Sequence, residues 1–273
     1  MCNLDMYFVS KILEEIRHER NIDFSQYKKN TILRRLNQRM IVLNIYKIKE
    51  YYEYFLKNKE EINKLLELFF INTTEFFRDP LYFYYFESIC NNMIKSGTNY
   101  IKVLSVGCSS GEEVYTIAMI LNELKEKNKE FNFHITAIDI DKNAIDDAKK
   151  AIYNDYSISN LPFYYLNKYF TVNNNFFHFN SQLLPEGCLS FKHLNILNNE
   201  QILNGMLKFD FIFCRNVLIY LNKDNQLVIL KNLIDLLDSD GYLILGRNEH
   251  LHLDLEPLFK QICKHIRIYA FNK

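Results

Sequence analysis

The feature that most constrains the fold is an apolar run that ends in two closely spaced glycines. Val103–Val106 is followed by Gly107, three small residues and Gly111, and an amphipathic helical pattern begins directly afterwards. This order predicts a buried strand, a tight turn and a helix start, where the backbone can approach a ligand closely and free N–H groups face it. A second apolar run, residues 135–138, ends in Asp139, which is placed to accept hydrogen bonds from ribose hydroxyls. We therefore expect a nucleoside-containing ligand at the carboxyl ends of a parallel sheet.

The glycine loop differs from two familiar phosphate-binding patterns. The pattern G-x-G-x-x-G is absent because Cys108 and Ser109 follow Gly107, and no Lys follows the second glycine as a P-loop would require. Glu112 and Glu113 stand where a pyrophosphate would lie, and their carboxylates would repel phosphates and attract a cation. S-adenosylmethionine fits, because it carries an adenosine, a sulfonium and an α-ammonium group but no phosphate. The loop alone leaves open a tight strand-to-helix connection without a ligand.

The pattern from residue 101 onward alternates between strands and helices, which predicts a doubly wound α/β domain. Strands are expected at 101–106, 133–138, 209–214 and 241–246, and helices at 111–127, 142–152 and 223–237. Residues 1–70 read as a helical N-terminal domain, with one helix over about 47–69. Residues 71–98 read as a linker that contains a helix, and residues 99–273 as the α/β domain.

Two segments after residue 154 differ from this alternation or extend it. The stretch 155–191 breaks the alternation, and residues 176–179 and 188–191 bracket the turn Pro185–Gly187. This arrangement predicts a small antiparallel β insertion. The apolar run 266–270 predicts an added edge strand.

Composition narrows the class of protein. The 33 basic and 33 acidic residues balance, so the chain has no overall drive toward nucleic acid or acidic membranes. No apolar run approaches the roughly 20 residues of a membrane span, and the N-terminus lacks the pattern of a secretion signal. Six cysteines without a CxxC pair indicate reduced thiols and no metal site. We expect a cytoplasmic protein without membrane insertion, and nothing in the sequence demands more than a monomer.

Four segments resemble one family, the CheR-type chemoreceptor methyltransferases, in order and in spacing. They are residues 72–79 (Asn-Thr-Thr-Glu-Phe-Phe-Arg-Asp), the Gly107–Glu113 loop, residues 138–141 (Ile-Asp-Ile-Asp) and residues 213–220 (Phe-Cys-Arg-Asn-Val-Leu-Ile-Tyr). Residues 246–249 also resemble the family's Gly-x-Ser-Glu, so the resemblance covers roughly 8–271. It implies a small all-α N-terminal domain over 1–70 and a cofactor-contacting segment within the linker helix region 71–98. It also implies a Rossmann-like S-adenosylmethionine-dependent methyltransferase catalytic domain over 99–273, with a β insertion at about 155–191.

The resemblance also implies an activity. The family consists of bacterial chemotaxis enzymes that methylate glutamate side chains on the cytoplasmic domains of chemoreceptors, with S-adenosylhomocysteine as the second product. Some members dock receptor tails on the insertion, but residues 183–187 depart from the family pattern there, so tail binding is not inferred.

Site residues follow from matching positions. Together with Gly107, the implied cofactor contacts are Asn72, Thr74, Arg78, Glu113, Asp139, Asn195, Ile196, Arg215 and Asn216. Arg78 and Tyr220 match the pair that positions the methyl-accepting carboxylate. Two alternatives stay open: Arg78 with Asp79 as a surface ion pair, and Asp139 as the N-cap of the helix near residue 142.

A basic face lies around a helix predicted over residues 31–40, which Thr31 can cap. Lys28, Lys29, Arg34, Arg35 and Arg39 occur between residues 24 and 40 without any acidic residue. The face is either solvated or a docking surface for an acidic partner, with Arg34, Arg35 and Arg39 as the docking residues.

Rival functions share the same cofactor fold. Amino-methylating DNA enzymes carry a Pro-Pro-aromatic segment after the fourth strand, where this chain has Arg215-Asn216-Val217. A catalytically silent S-adenosylmethionine-binding signalling protein and a small-molecule carboxyl methyltransferase remain as alternatives.

Overall fold

The computed structural model describes residues 3–70, 72–197 and 208–272. These residues fall into two compact units. The helical unit contains residues 3–70 and Tyr220–Gln226, and the sheet unit contains Asn72–Ile219 and the described residues from Leu227 onward. Within the described ranges, no helix combines the length and the apolar character needed to cross a bilayer.

The helical unit is built from amphipathic helices whose apolar faces meet. These helices are α1 (Asn3–Arg20), α2 (Lys29–Val42), α3 (Ile48–Lys57) and α4 (Glu61–Phe69). Helix α1 packs on α3, and α2 packs on α4. The single helix predicted over 47–69 is wrong, because Asn58 leaves the helical conformation at φ −119° and ψ 90°. Its side-chain amide donates to the carbonyl of Tyr54 (2.7 Å) and so caps α3.

The sheet unit begins with α5 (Pro80–Lys95) and then alternates strands with helices. Its strands are β1 (Tyr100–Val106), β2 (Asn132–Asp139), β3 (Ile152–Tyr153), β4 (Phe170–Asn173), β5 (Phe176–Phe179), β6 (Leu189–His193), β7 (Phe209–Cys214), β8 (Leu237–Leu245), β9 (Phe259–Gln261) and β10 (Ile268–Phe271). Its further helices are α6 (Glu112–Lys127), α7 (Lys142–Lys150) and α8 (Phe163–Tyr169). Helix α9 (Lys223–Leu236) belongs to the helical unit up to Gln226 and to the sheet unit from Leu227.

The main sheet has seven strands in the order β6-β2-β1-β7-β8-β10-β9. The pairings from β6 through β8 are parallel, and β10 runs antiparallel to both neighbours. The strands predicted at 101–106, 133–138, 209–214 and 241–246 are confirmed as β1, β2, β7 and β8, because strands buried on both faces read as continuous apolar runs. Chain order reverses between β1 and β7, and in open α/β sheets ligands bind at such a switch point.

The antiparallel insertion is confirmed as a three-stranded sheet in the order β3-β5-β4. The hairpin predicted around Pro185–Gly187 is wrong, because β6 pairs in parallel with β2 and forms one edge of the main sheet. Apolar alternation reveals a strand but does not name its partner. The predicted edge strand at 266–270 is also wrong in position, since β10 lies between β8 and β9.

Candidate cofactor and active site

The loop after β1 has the backbone geometry that its two glycines predict. Gly107 has φ +69° and Gly111 has φ +94°, both in the left-handed region. A Cβ added at Gly107 would lie 2.4 Å from Cγ2 of Val217, in the segment after β7. The amides of Gly107 and Cys108 both donate to the carbonyl of Ile138 (2.9 and 3.1 Å). The ends of β1, β2 and β7 therefore meet at one place.

Asp139 anchors this loop rather than a helix. Its Oδ2 accepts the amide of Ser109 (2.8 Å) and its Oδ1 accepts the amide of Asp141 (2.9 Å). Burial raises the pKa of Asp139, and these N–H bonds act in the opposite direction. The cap of α7 is Asp141, whose Oδ1 accepts the amide of Asn143 (3.0 Å). Each oxygen of Asp139 keeps a lone pair that a ribose hydroxyl could use.

Two further segments reach the same edge of the sheet. Asn72 donates its side-chain amide to Oδ2 of Asp141 (2.8 Å), and its carbonyl accepts the hydroxyl of Ser109 (3.1 Å). The amide of Leu194 donates to the carbonyl of Asp139 (2.9 Å). The structure thus brings Asn72 and Asp139 to this edge, and it places there Leu194, which directly precedes the predicted contacts Asn195 and Ile196.

Arg215 is the centre of a second cluster. Its guanidinium donates to the carbonyl of Arg78 (2.9 Å), to Oδ2 of Asp79 (2.8 Å) and to Oε2 of Glu113 (3.2 Å). The side chain is 2% exposed, and its guanidinium carbon lies 4.7 Å from the ring centre of Tyr82. Nothing among the described residues accepts its buried Nε–H. The cluster joins Glu113, Arg215 and the backbone carbonyl of Arg78, which are three of the predicted cofactor residues.

The two adjacent glutamates have different surroundings. Glu112 is 2% exposed, and its oxygens accept the hydroxyls of Ser110 (2.7 Å) and Ser157 (2.9 Å). Glu113 accepts the hydroxyl of Ser105 (2.9 Å) and faces Arg215. Burial raises the pKa of Glu113, although the positive charge of Arg215 and the hydrogen bonds oppose the rise. Glu113 is therefore paired with Arg215, and its role as the contact for a cationic ligand stays a prediction.

Arg78 sits in strained backbone. Phe77 at φ +52° and Asp79 at φ +57° flank it, and each non-glycine residue in this region costs of order 1 kcal/mol. Asp79 pairs with Arg215, and the Arg78 guanidinium donates to the carbonyl of Thr73 (3.0 Å). The alternative of an Arg78–Asp79 surface pair is therefore wrong. Strain held in place by a buried ion pair is typical of functional sites.

Sequence reasoning gave no role to Glu249, yet its buried carboxylate binds the turns after β7 and β8. Oε2 accepts the amides of Gly246 (2.6 Å) and Asn216 (2.9 Å). Oε1 accepts the amides of Leu218 (2.7 Å) and Ile219 (3.3 Å). The family-like segment 246–249 marks the position of Glu249, but three of its four donors lie 30 to 33 residues away in the chain, so no local pattern identifies them.

Comparisons with known proteins agree with this geometry. Residues 72–268 match the model described as CheR methyltransferase, SAM binding domain, and residues 9–70 match CheR methyltransferase, all-alpha domain. The chain belongs to the CheR methyltransferase family. A chemotaxis protein methyltransferase of Borreliella burgdorferi is 31% identical over 88% of this chain and 87% of that protein. One from Escherichia coli is 28% identical over 89% of this chain and 85% of that protein.

The sheet unit of this CheR-family chain fits S-adenosylmethionine. Gly107 leaves a cradle that a side chain would fill, and Arg215 presents a buried N–H with no acceptor among the described residues. Glu113 supplies a carboxylate for an ammonium or sulfonium group, and Asp139 supplies one for hydroxyl groups. Family membership and this donor set make the chain an S-adenosylmethionine-dependent methyltransferase.

Tyr220 belongs to the helical unit rather than to the unit that holds Arg78. It is half-buried, and its carbonyl accepts the amide of Lys28 (2.8 Å). The assignment of Arg78 and Tyr220 to one substrate carboxylate stays a prediction.

The basic face of α2 is not uniform. Arg34 is exposed and Arg35 is half-buried. Arg39 binds the buried carboxylate of Glu61 through two hydrogen bonds (2.8 and 2.7 Å), and Tyr51 donates its hydroxyl to the same carboxylate (2.6 Å). The structure corrects the docking prediction at Arg39, because Glu61 already neutralises its charge. Arg34 and Arg35 remain as predicted docking residues.

Proposed function

We propose that the protein transfers the methyl group of S-adenosylmethionine to glutamate side chains in the cytoplasmic domains of chemoreceptors. The observation that carries the proposal is the Arg215 cluster. Its guanidinium holds the carbonyl of Arg78 and the carboxylate of Glu113, which supports a role for Arg78 in orienting the substrate beside a carboxylate for the cationic end of the cofactor. The names of the relatives, chemotaxis protein methyltransferases, support receptors as the substrates.

The chemistry asks the protein for alignment rather than for a base. A glutamate carboxylate has an ordinary pKa of about 4.3 and is ionised at neutral pH. Bound S-adenosylmethionine supplies an electrophilic methyl group on a sulfonium. Arg78 orients the attacking carboxylate through its planar guanidinium, and Tyr220 directs one of its oxygens by a hydrogen bond. Good orientation alone can contribute about 7–11 kcal/mol to lowering the barrier.

The test is methyl transfer from labelled S-adenosylmethionine to receptor-containing membranes, with methanol released by alkali as the readout. Base-labile label on a receptor-sized band is expected, because carboxyl methyl esters hydrolyse in alkali. Cofactor binding without such label would contradict the proposal. It would leave the silent signalling protein or the small-molecule carboxyl methyltransferase as the function.

The roles of Arg78 and Tyr220 need variants with matched controls. Arg78→Ala and Tyr220→Phe should each lower kcat about 100-fold or more while the protein stays folded. Arg20→Ala and Tyr84→Phe are the controls, because both residues are exposed. Near-normal turnover in both test variants would show that Arg78 and Tyr220 do not position the substrate carboxylate.

A further inference from the structure

The carboxylate of Glu249 is compensated in an unusual way. Its side chain is 3% exposed, and among the ion pairs of the described ranges none includes it. Four backbone N–H groups converge on its two oxygens instead. Burial raises the pKa of Glu249, while these N–H groups oppose that rise by stabilising the ionised form. The carboxylate therefore accepts hydrogen bonds from backbone amides in the turns that follow strands β7 and β8.

The amides that it holds belong to the turn that carries two predicted cofactor residues. Asn216 follows Arg215 directly and has φ +60°, in the left-handed region that few non-glycine residues adopt and that asparagine tolerates better than most. Gly246 approaches so closely that a Cβ there would lie 2.6 Å from Oε2 of Glu249 and 2.9 Å from the amide nitrogen of Asn216. The hydrogen bonds to Glu249 and the close approach of Gly246 together restrict the turn after β7 to a single backbone conformation.

We propose that Glu249 is a positioning residue of the methyltransferase site. Its carboxylate fixes the backbone amides of Asn216, Leu218 and Ile219, which follow β7. Through Asn216 it also fixes the Cα atom of Arg215, to which that side chain is attached. Arg215 in turn holds the carbonyl of Arg78 and the carboxylate of Glu113. The inference rests on the proposed function, because that function assigns Arg215 and Asn216 to the cofactor.

The chemistry of the acceptor predicts which substitutions matter. A glutamine at 249 has one acceptor oxygen, and its NH2 group would face two of the amides donor to donor. Glu249→Gln therefore keeps the size of the side chain but releases part of the turn. Glu249→Asp keeps the charge and loses one methylene of reach, so it should retain part of the function. Glu130→Gln is the matched control, because Glu130 is exposed and precedes β2 at the opposite end of the strands.

The decisive measurement is the Kd for S-adenosylmethionine by calorimetry, without receptor, at a temperature where circular dichroism shows each variant folded. Glu249→Gln should bind about 10- to 100-fold more weakly, since two unsatisfied amides displace the turn. Glu249→Asp should lie between that value and the wild type, and Glu130→Gln should equal the wild type. In turnover, KM for S-adenosylmethionine should rise while KM for the receptor stays unchanged.

Other outcomes overturn the proposal. A folded Glu249→Gln with wild-type Kd does so, as does a fall in the number of binding sites with Kd unchanged, which indicates only misfolding. If Glu249→Gln does not fold, hydrogen exchange on the wild type decides. S-adenosylhomocysteine should slow exchange in both 215–219 and 246–249, and binding without slower exchange there refutes the role. The calorimetry and the hydrogen-exchange measurement use no receptor. A failed receptor-methylation assay, which would contradict the proposed function, is therefore distinguishable from a failure of the role proposed for Glu249.

Discussion

Gly107 lies too close to Val217 for any side chain to fit between them. Gly107→Ala should lower the free energy of unfolding by about 2–4 kcal/mol, because a strained φ and an overpacked contact add. Gly97→Ala is the matched control, since Gly97 also has positive φ (+99°) but a Cβ there would meet nothing within 4 Å. It should lose only about 1 kcal/mol. Urea unfolding measures both, and equal losses would show that the contact with Val217 is unimportant.

A double variant separates the two contributions. Val217→Ala removes the methyl group that a Cβ at 107 would strike. In the Gly107→Ala background it should cost less than in the wild type, with a coupling of about 1–2 kcal/mol. Strict additivity of the two changes would mean that backbone strain alone explains the glycine.

Glu113 predicts a pH dependence of cofactor binding. Because burial raises its pKa in the folded protein, Glu113 takes up a proton at a higher pH than an ordinary glutamate with a pKa of about 4.3. Protonation removes the charge that attracts the cationic ligand, so Kd for S-adenosylmethionine should rise up to about tenfold per unit as pH falls through that range. Protonation of Glu113 weakens cofactor binding but favours the folded state. The reason is that the folded protein, in which the pKa of Glu113 is raised, binds this proton more readily than the unfolded chain. The contribution of Glu113 to stability therefore grows as pH falls.

Calorimetric titrations between about pH 5 and 8 test this linkage. Glu113→Gln should bind weakly at neutral pH and show a flatter profile, whereas Glu130→Gln should follow the wild type. A profile that keeps its slope in Glu113→Gln would assign the titration to another buried carboxylate, such as Asp139, whose pKa burial also raises.

At the scale of secondary-structure elements, the sequence predicted what is local and missed what depends on partners. The central strands and the glycine turn were predictable because burial on both faces and positive φ leave marks in the sequence. The position of β6 in the sheet was not predictable, because the sequence of a strand does not show which strand it pairs with. The contacts of Glu249 were missed for the same reason, because three of its four amide donors lie 30 to 33 residues earlier in the chain.

The ion pair between Arg39 of α2 and Glu61 of α4 connects two helices. In the sequence alone, Arg39 looks like any other basic residue of its helix. Arg39→Gln should lower the free energy of unfolding by about 3–5 kcal/mol, because Glu61 is 2% exposed and would lose its charge partner. Arg34→Gln, the same change on an exposed side chain of the same helix, should change it by less than about 0.5 kcal/mol. Denaturant unfolding compares the two, and similar losses would contradict the buried pair.

At the scale of the whole molecule, equal numbers of acidic and basic residues hide a local excess of positive charge on α2. The carboxylates of the cofactor site are largely buried, whereas Arg34 is exposed. Salt screens exposed charges beyond about 10 Å at 0.1 M and buried charges much less. Receptor docking and cofactor binding should therefore respond differently to the same salt.

The resulting prediction concerns methylation of receptor membranes at several salt concentrations. Added salt should raise KM for the receptor several-fold and leave KM for S-adenosylmethionine nearly constant. Arg34→Gln with Arg35→Gln should raise the receptor KM at low salt by about 3- to 10-fold and flatten its salt dependence, because steering by these charges is lost. Lys57→Gln removes an exposed positive charge from α3 and should leave both constants unchanged. If the double variant keeps the wild-type salt response, the basic face is a solvated helix surface, and the receptor docks elsewhere on the molecule.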